Sequence, residues 1–273
     1  MKQRVGVLGC GWLGIPLAQH LQTKGYEVRG TRQSQPGLRR LEEAGIAAYP
    51  LVVSEEDITG DLTFFDQLDV LIVSLPPGLR KNPTFRLDQA IAQLAIHLHT
   101  TAIDHLIFLS SISVYGAEQG MITEATPCDP TTPSGQMLVQ CEVLFRALKI
   151  PHITVLRLGG LIGNDRHPVY GLANKEVIPD PMGAINLVHQ LEVVAYIEAL
   201  IKKPKKSGVY NVVNPYHPKR QEYYQATANT LGLPLPPFEN VTRKNVSISS
   251  EKIIQNYGMF FDVEKLLIET PSG

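Results

Sequence analysis

Cysteine is scarce in this chain: Cys10, Cys128 and Cys141 stand far apart and are odd in number. That excludes a disulfide framework and any Cys-x-x-Cys metal site, and it sets the expectation of a reducing, cytoplasmic setting with no bound metal. A surplus of either charge is missing too, since 25 Lys plus Arg face 26 Asp plus Glu, a net charge of -1. No chain-wide field favours nucleic acid or a membrane surface, so the expected partner is a small neutral-to-polar molecule. Long apolar runs are absent at the start. The opening "MKQRVGVLGCGWLG" offers only a four-residue run before its glycines, neither a signal peptide nor a membrane span, and predicts a chain soluble from its first residue. Repeats and low-complexity segments are also missing. What remains is ordinary globular usage, 273 residues of which 44% are hydrophobic and 19% charged. That is enough for one large core or two smaller ones, in an oligomeric state these numbers leave open.

What the chain does have is alternation. Apolar runs at "VGVLG", "YEVRGT" and "AAYPLVV" are separated by helical patterns over about residues 12–24 and 38–44, which reads as repeated βαβ. The pattern continues with a strand at 69–75, a helix opening at Asn82 and Pro83 and running to about 102, a strand at "HLIFLSS" and a helix over about 134–148. Asn82 and Thr132 each stand before a proline, a capping residue ahead of the residue favoured at the first helical position. Apolar strands without clean alternation, set between helices, predict a parallel sheet covered on both faces, a Rossmann-type doubly wound α/β fold. After "HITVLRLGGLIG" the pattern loosens into "NDRHPVYGLANKEVIPDPMGAI", too long for a routine connection and therefore a candidate functional loop. A strand and helix return at "INLVHQLEVVAYIEALI", then a strand at "GVYNVVN" and a helix near Arg220 to Leu231. The expected plan is a large α/β domain over 1–163 and about 185–214. A small C-terminal substrate lobe comes from 164–184 and 215–273.

The segment "GCGWLG" sets Gly9, Gly11 and Gly14 in G-x-G-x-x-G spacing, directly after a strand and before an amphipathic helix. Gly9 suits a tight turn, Gly11 a close approach to a pyrophosphate, and Gly14 close packing of helix on strand. The helix head, with Trp12 and Leu13, supplies N–H groups and the positive dipole end. A turn that serves packing alone has the same spacing; its setting between strand and helix favours a dinucleotide. At the end of the second strand, where an Asp or Glu would bind the ribose diol of NAD, the chain reads "RGTRQS". Thr31 and Arg32 suit a 2′-phosphate, so NADP is expected in preference to NAD, unless Arg32 is a solvated surface residue. Ser74, Leu75 and Pro76, after the fourth strand, are expected to pass beside the cofactor through their backbone.

"FLSSISVYG" resembles the S-S-x-x-V-Y-G segment of the extended short-chain dehydrogenase/reductases, the NAD-dependent epimerase and dehydratase group. "VLRLGGLIG", "NLVHQLEVV" and "GVYNVVN" resemble further strands and the histidine-containing segment of that group, so the likeness spans nearly the whole chain. "GWLGIPLA", "RHPVYGLA" and "INLVH" are more similar still to the YeeZ-like atypical members, which carry G-x-G-x-x-G. The resemblance implies a nicotinamide cleft lined by Ser110 and Ser111, with Ser111 matching the catalytic serine that holds the reacting oxygen of a carbonyl or alcohol. The group's chemistry also uses a Tyr and a Lys four residues apart, the Lys lowering the pKa of the Tyr. Taking Glu142 as the shared glutamate puts Ser134 and Leu138 at those positions, so both groups are missing. Tyr115, His189, His167, Tyr170 and Glu124 are the titratable side chains left to face the cleft. His189 and Tyr115 read first as hydrogen-bonded structural residues and Arg157, inside an apolar strand, as a paired buried arginine, while Ser111 reads equally as a strand-end cap.

Two functions follow. One is an NADP(H)-dependent oxidoreductase or epimerase-like enzyme acting on an unidentified hydroxyl or carbonyl compound. The other is a dinucleotide-binding sensor or regulator that keeps the fold without the chemistry. A β-hydroxyacid dehydrogenase would need a long helical second domain, against which the strands and prolines after residue 204 argue.

Overall fold

A computed structural model describes residues 2–79, 82–116, 120–163, 165–203, 205–239, 241 and 246–266. Residues 1, 80, 81, 117–119, 164, 204, 240, 242–245 and 267–273 of the two expected units therefore lie outside the described residues. In chain order the elements are β1 (Arg4–Leu8), α1 (Gly14–Thr23), β2 (Glu27–Arg32), α2 (Gln35–Glu43), β3 (Ala47–Val53), β4 (Ile58–Gly60), β5 (Val70–Val73), α3 (Leu87–Leu98), β6 (His105–Ser111) and β7 (Gly120–Ile122). There follow α4 (Pro133–Arg146), β8 (His152–Leu158), β9 (Gly160–Ile162), α5 (Pro168–Leu172), β10 (Leu187–His189), α6 (Gln190–Lys202), β11 (Gly208–Val212), α7 (Arg220–Leu231), β12 (Val246–Ile248) and α8 (Glu251–Tyr257).

The main sheet runs β11-β8-β6-β5-β1-β2-β3-β4, parallel throughout except for the antiparallel edge strand β4. This is the expected doubly wound sheet, and its order reverses between β1 and β5, which pair directly. Successive residues of a strand face opposite sides. Leu71, Val73, Leu106 and Phe108 accordingly join α3 and α4 in one apolar layer. Val70, Ile72, Ile107 and Leu109 join α1 and α6 in the other. Burial on both faces is why β5 reads as an unbroken apolar run. In α1, Gly14, Leu17, Ala18 and Leu21 form the buried stripe at helical spacing, and Pro16 sits in the first turn, where its missing N–H costs nothing.

A third apolar cluster draws on residues from Ile162 to Leu187 and from Tyr223 to Leu266. Residues 246–261 behave differently: Ile248 joins the α3/α4 layer, and Ile253 and Tyr257 of α8 pack into the α1/α6 layer. One helix start differs from expectation. Helix α3 begins at Leu87 and not at Pro83, because Asn82 Oδ1 closes a local turn onto the Thr84 N–H at 3.2 Å and the Thr84 hydroxyl at 2.8 Å. Thr132 does cap α4, accepting the Gly135 N–H at 3.1 Å, with Pro133 first in the helix. Among the described residues no helix is long and apolar enough to cross a membrane.

Candidate functional site

Open parallel sheets bind ligands outside the strand C-termini where the strand order reverses. Here that crevice is bounded by the loop after β1 and the loop after β5. Gly9 turns the chain at φ +84°, in the left-handed region. A Cβ on it would lie 2.8 Å from the Ser74 carbonyl oxygen and 2.9 Å from a Leu75 methyl, so the two loops close on each other at this residue. Thr31 locks the turn from β2, its hydroxyl accepting the Gly9 N–H at 2.9 Å and its carbonyl the Cys10 N–H at 3.0 Å. Thr31 is itself buried and thus holds the loop from within. Gly14 lets α1 approach β1, since a Cβ would lie 3.2 Å from both Val7 and the Cys10 sulfur. Burial pushes the Cys10 thiol up to about 12, against the opposing pull of Arg32, leaving it an inert packing group.

The head of α1 is prepared for an anion. Leu13 at the cap position offers no side-chain acceptor and the first turn holds no acidic residue. No acceptor takes the amide N–H of Trp12, Leu13 or Gly14 among the described residues, while the Gly11 N–H is used within the turn at 2.7 Å. Arg32, at the end of β2, lies over this loop. Its Nη1 is 3.0 Å from where a Gly11 Cβ would sit, and its Nε is 2.7 Å from where a Gly37 Cβ would sit. Two glycines thus make room for the guanidinium, and no carboxylate among the described residues pairs with it. The phosphates of a dinucleotide fit this set of donors. Ser74 and Leu75 are half-buried at the β5 exit and Pro76 is exposed there.

Ser111 ends β6 three residues beyond Phe108, the partner of the last residue of β5. At ~3.3 Å per residue it stands about 10 Å above the floor of the crevice. Its Oγ accepts the Ser113 N–H at 3.1 Å, capping the 3-10 turn Ile112–Val114. Among the described residues the Ser111 hydroxyl donates to no acceptor, so capping leaves its proton uncommitted. Helix α4 presses on this turn, since a Cβ on Gly135 would lie 2.2 Å from the Ser113 carbonyl oxygen. On α4, Ser134 is half-buried beside Thr132 at 3.3 Å, and Leu138 is buried in the core.

Several expected site residues do other work. Ser110 alternates to the opposite side of the strand from Ser111, and its hydroxyl donates to Glu142 Oε1 at 2.6 Å. Its side chain is therefore committed to the interior and not to a cofactor. Glu142 also receives Arg157 Nε at 3.1 and 3.2 Å and Nη2 at 2.7 Å. Arg157 is thus the paired buried arginine that its apolar strand predicted. It donates through Nη1 to the Tyr115 hydroxyl at 2.9 Å and through Nη2 to the Cys128 sulfur at 3.0 Å. Tyr115 in turn donates to Asn211 Oδ1 at 2.7 Å. Burial raises the Tyr115 pKa despite the adjacent guanidinium, so this phenol is a structural member of the network and not an available acid. His189 closes a capping box on α6: its Nδ1 accepts the Leu191 N–H at 3.2 Å and its backbone N–H donates to Glu192 Oε2 at 2.9 Å. Burial, aided by the Lys265 charge, lowers its pKa. His167 caps α5 and bonds the Tyr223 hydroxyl at 2.9 Å, with burial lowering its pKa to about 4. Glu124 accepts the Asn211 N–H at 2.8 Å. Of the titratable candidates, Tyr170 alone is exposed with a hydroxyl that makes no hydrogen bond among the described residues.

Sequence reasoning missed the far side of the glycine loop. The Trp12 indole bonds Asp165, and Gln190 of α6 bonds the Trp12 carbonyl. These partners lie more than 150 residues away in the chain, and no local spacing signals them.

No family model matches the chain. Protein YeeZ of Escherichia coli strain K12 is 37% identical over 242 residues, 87% of this chain and 87% of that protein. Among solved structures, a functionally unknown conserved protein from Silicibacter pomeroyi superposes with a TM-score of 0.77 at 22% identity, covering 94% of this chain and 93% of that one. UDP-glucuronic acid 4-epimerase from Bacillus cereus in complex with NAD gives 0.79 at 17% identity, covering 97% and 93%. A short-chain dehydrogenase/reductase superfamily protein from Agrobacterium tumefaciens with bound NAD gives 0.74 at 16%, covering 97% and 95%. At these identities the structures share the fold.

Proposed function

The chain belongs to the YeeZ-like branch of the atypical short-chain dehydrogenase/reductases, and on that premise we propose that it binds NADP(H) in preference to NAD(H) and acts as an oxidoreductase or epimerase-like enzyme on a small hydroxyl or carbonyl compound. The observation that carries the reading is the α1 head: among the described residues three amide N–H groups have no acceptor, at the sheet's switch point, and the Arg32 guanidinium alongside pairs with no carboxylate. The bound NAD of two fold neighbours supports a nicotinamide dinucleotide there. Such a cofactor supplies hydride transfer.

The chain's own residues divide the remaining work. The amides of Trp12, Leu13 and Gly14 hold the pyrophosphate, aided by the helix dipole. Arg32 bonds the 2′-phosphate through paired, charge-assisted donors. Ser74, Leu75 and Pro76 line the cofactor through their backbone. Ser111 donates its hydroxyl proton in a hydrogen bond to the substrate oxygen, its acceptor side being occupied by the Ser113 N–H. The three thiols are unpaired, which supports the cytoplasmic setting.

One observation favours a second reading, a dinucleotide-binding sensor without turnover. Leu138 is buried in the core where the family's Lys would stand, and Tyr115, His167 and His189 are bound into structural roles. A crystal structure of the NADPH complex separates the two. Ser111 Oγ and a titratable side chain within about 3.2 Å of one site beside the nicotinamide C4 support the enzyme. A purely apolar surround refutes it.

A further inference from the structure

The outer side of the glycine loop is occupied. Trp12 donates its indole N–H to Asp165 Oδ1 at 2.8 Å, and the Arg166 guanidinium lies over the same ring, 5.0 Å from its centroid. Gly163 presses on the ring edge, since a Cβ there would lie 2.8 Å from Trp12 Cζ2. Gly163 and Arg166 are closed on each other by two backbone hydrogen bonds of 2.9 and 3.0 Å. The next residue, His167, is buried and bonded to Tyr223 of the small lobe. The segment is therefore anchored at both ends, and what it presents beside the loop is Arg166.

Arg166 is a cation without an anion. It is exposed, no carboxylate among the described residues stands within ion-pair distance of it, and its neighbour Asp165 is turned to the indole. Stacking by an exposed guanidinium on the half-buried indole is worth only about 0.5–1 kcal/mol, so it orients the guanidinium without neutralising it. Trp12 thus carries an unaccepted amide N–H on its backbone and a stacked guanidinium on its side chain.

We propose that Arg166 is a phosphate ligand supplied by the substrate-side segment, held on Trp12 so that its guanidinium joins the α1 amides on the pyrophosphate of the dinucleotide. The inference rests on the dinucleotide reading above. It assigns the two arginines to different phosphates: Arg32 to the 2′-phosphate that only NADP(H) carries, Arg166 to the pyrophosphate that NADP(H), NAD(H) and ADP share. Arginine suits the second role because its planar fork bonds two phosphate oxygens at once.

The test is calorimetric titration of the full chain with NADPH, NADH and ADP, for the unaltered protein, Arg166→Gln and Arg166→Lys. Arg166→Gln weakens all three ligands by a similar factor, about tenfold or more, as expected for one lost charge-assisted bond. Arg166→Lys recovers part of the loss, keeping the charge without the fork. Trp12 is the only tryptophan of the chain, so ADP also changes the intrinsic emission of the unaltered protein. Unchanged ADP affinity in Arg166→Gln, or a loss confined to NADPH, overturns this inference alone. Absence of binding by the unaltered protein overturns the dinucleotide reading and this inference with it.

Discussion

Replacing Glu142 with glutamine is the sharpest perturbation of the framework behind Ser111. The carboxylate and the Arg157 guanidinium are almost fully buried, with side-chain exposures of 4% and 6%. Three hydrogen bonds join them, and Ser110 adds a fourth to the carboxylate. Glutamine keeps the volume and one acceptor oxygen but removes the charge, leaving Arg157 buried without a counter-ion beside the Tyr115 hydroxyl and the Cys128 sulfur. Breaking a buried pair in this way costs about 3–5 kcal/mol, a large share of the ~5–15 kcal/mol of a typical domain. Urea unfolding at neutral pH reads it: the midpoint falls while the denaturant slope is unchanged. The double variant Glu142→Met with Arg157→Met removes both charges and is less destabilised than Glu142→Gln alone. A cost below about 1 kcal/mol for the single variant, or a double variant as damaged as the sum of its parts, would refute the claim that an unpaired buried charge sets the penalty.

Gly9→Ala meets both a left-handed φ of +84° and the Ser74 carbonyl at 2.8 Å. It costs about 1–3 kcal/mol in urea unfolding and abolishes the thermal response to NADPH. Gly135→Ala drives a methyl to 2.2 Å from the Ser113 carbonyl oxygen, so it lifts α4 from the serine turn at a cost of about 1–3 kcal/mol, again read by urea. His105 and His167 are both held neutral by burial, with folded pKa values lowered to about 4 from 6.5. A depressed histidine contributes stability that is present above the unfolded value and lost as the pH falls through the folded one. Urea midpoints therefore decline between about pH 6.5 and 4, and the decline is smaller in His167→Gln; an equal decline in that variant contradicts the assignment.

The sheet, its parallel order and most helices were legible because a two-sided buried strand leaves an unbroken apolar run, as in β5, and because Thr132 and Pro133 mark a helix start by purely local chemistry. Asn82 and Pro83 show the same signal failing: the asparagine found a nearer donor in Thr84 and closed a turn. The three-residue strands β4, β7, β9, β10 and β12 are too short to impose a period on the sequence. The glycine loop was legible since its geometry is local to six residues. The role of Ser110 was not, because it is decided by Glu142 on α4; Tyr115 and His189 read as hydrogen-bonded structural residues, but the Tyr115 partner, Asn211 on β11, is 96 residues away and invisible to local spacing, whereas the His189 partners, Leu191 and Glu192, are close in the chain. Arg157 is the instructive exception, as a charge in an apolar strand demands a buried partner whatever the fold.

The central claim is that the loop after β1 and Arg32 together bind a dinucleotide that carries a 2′-phosphate. Thermal unfolding of the unaltered protein and of Arg32→Ser, each with NADPH or NADH, tests it most directly. At a hundredfold excess over Kd a ligand adds ~2.7 kcal/mol, a rise of about 5–10 °C for a chain of this size. NADPH should raise the unaltered protein's midpoint well beyond NADH at equal concentration, and Arg32→Ser should erase the difference while keeping the NADH shift. No shift with either nucleotide, or an NADH shift equal to or larger than that of NADPH, would contradict the account.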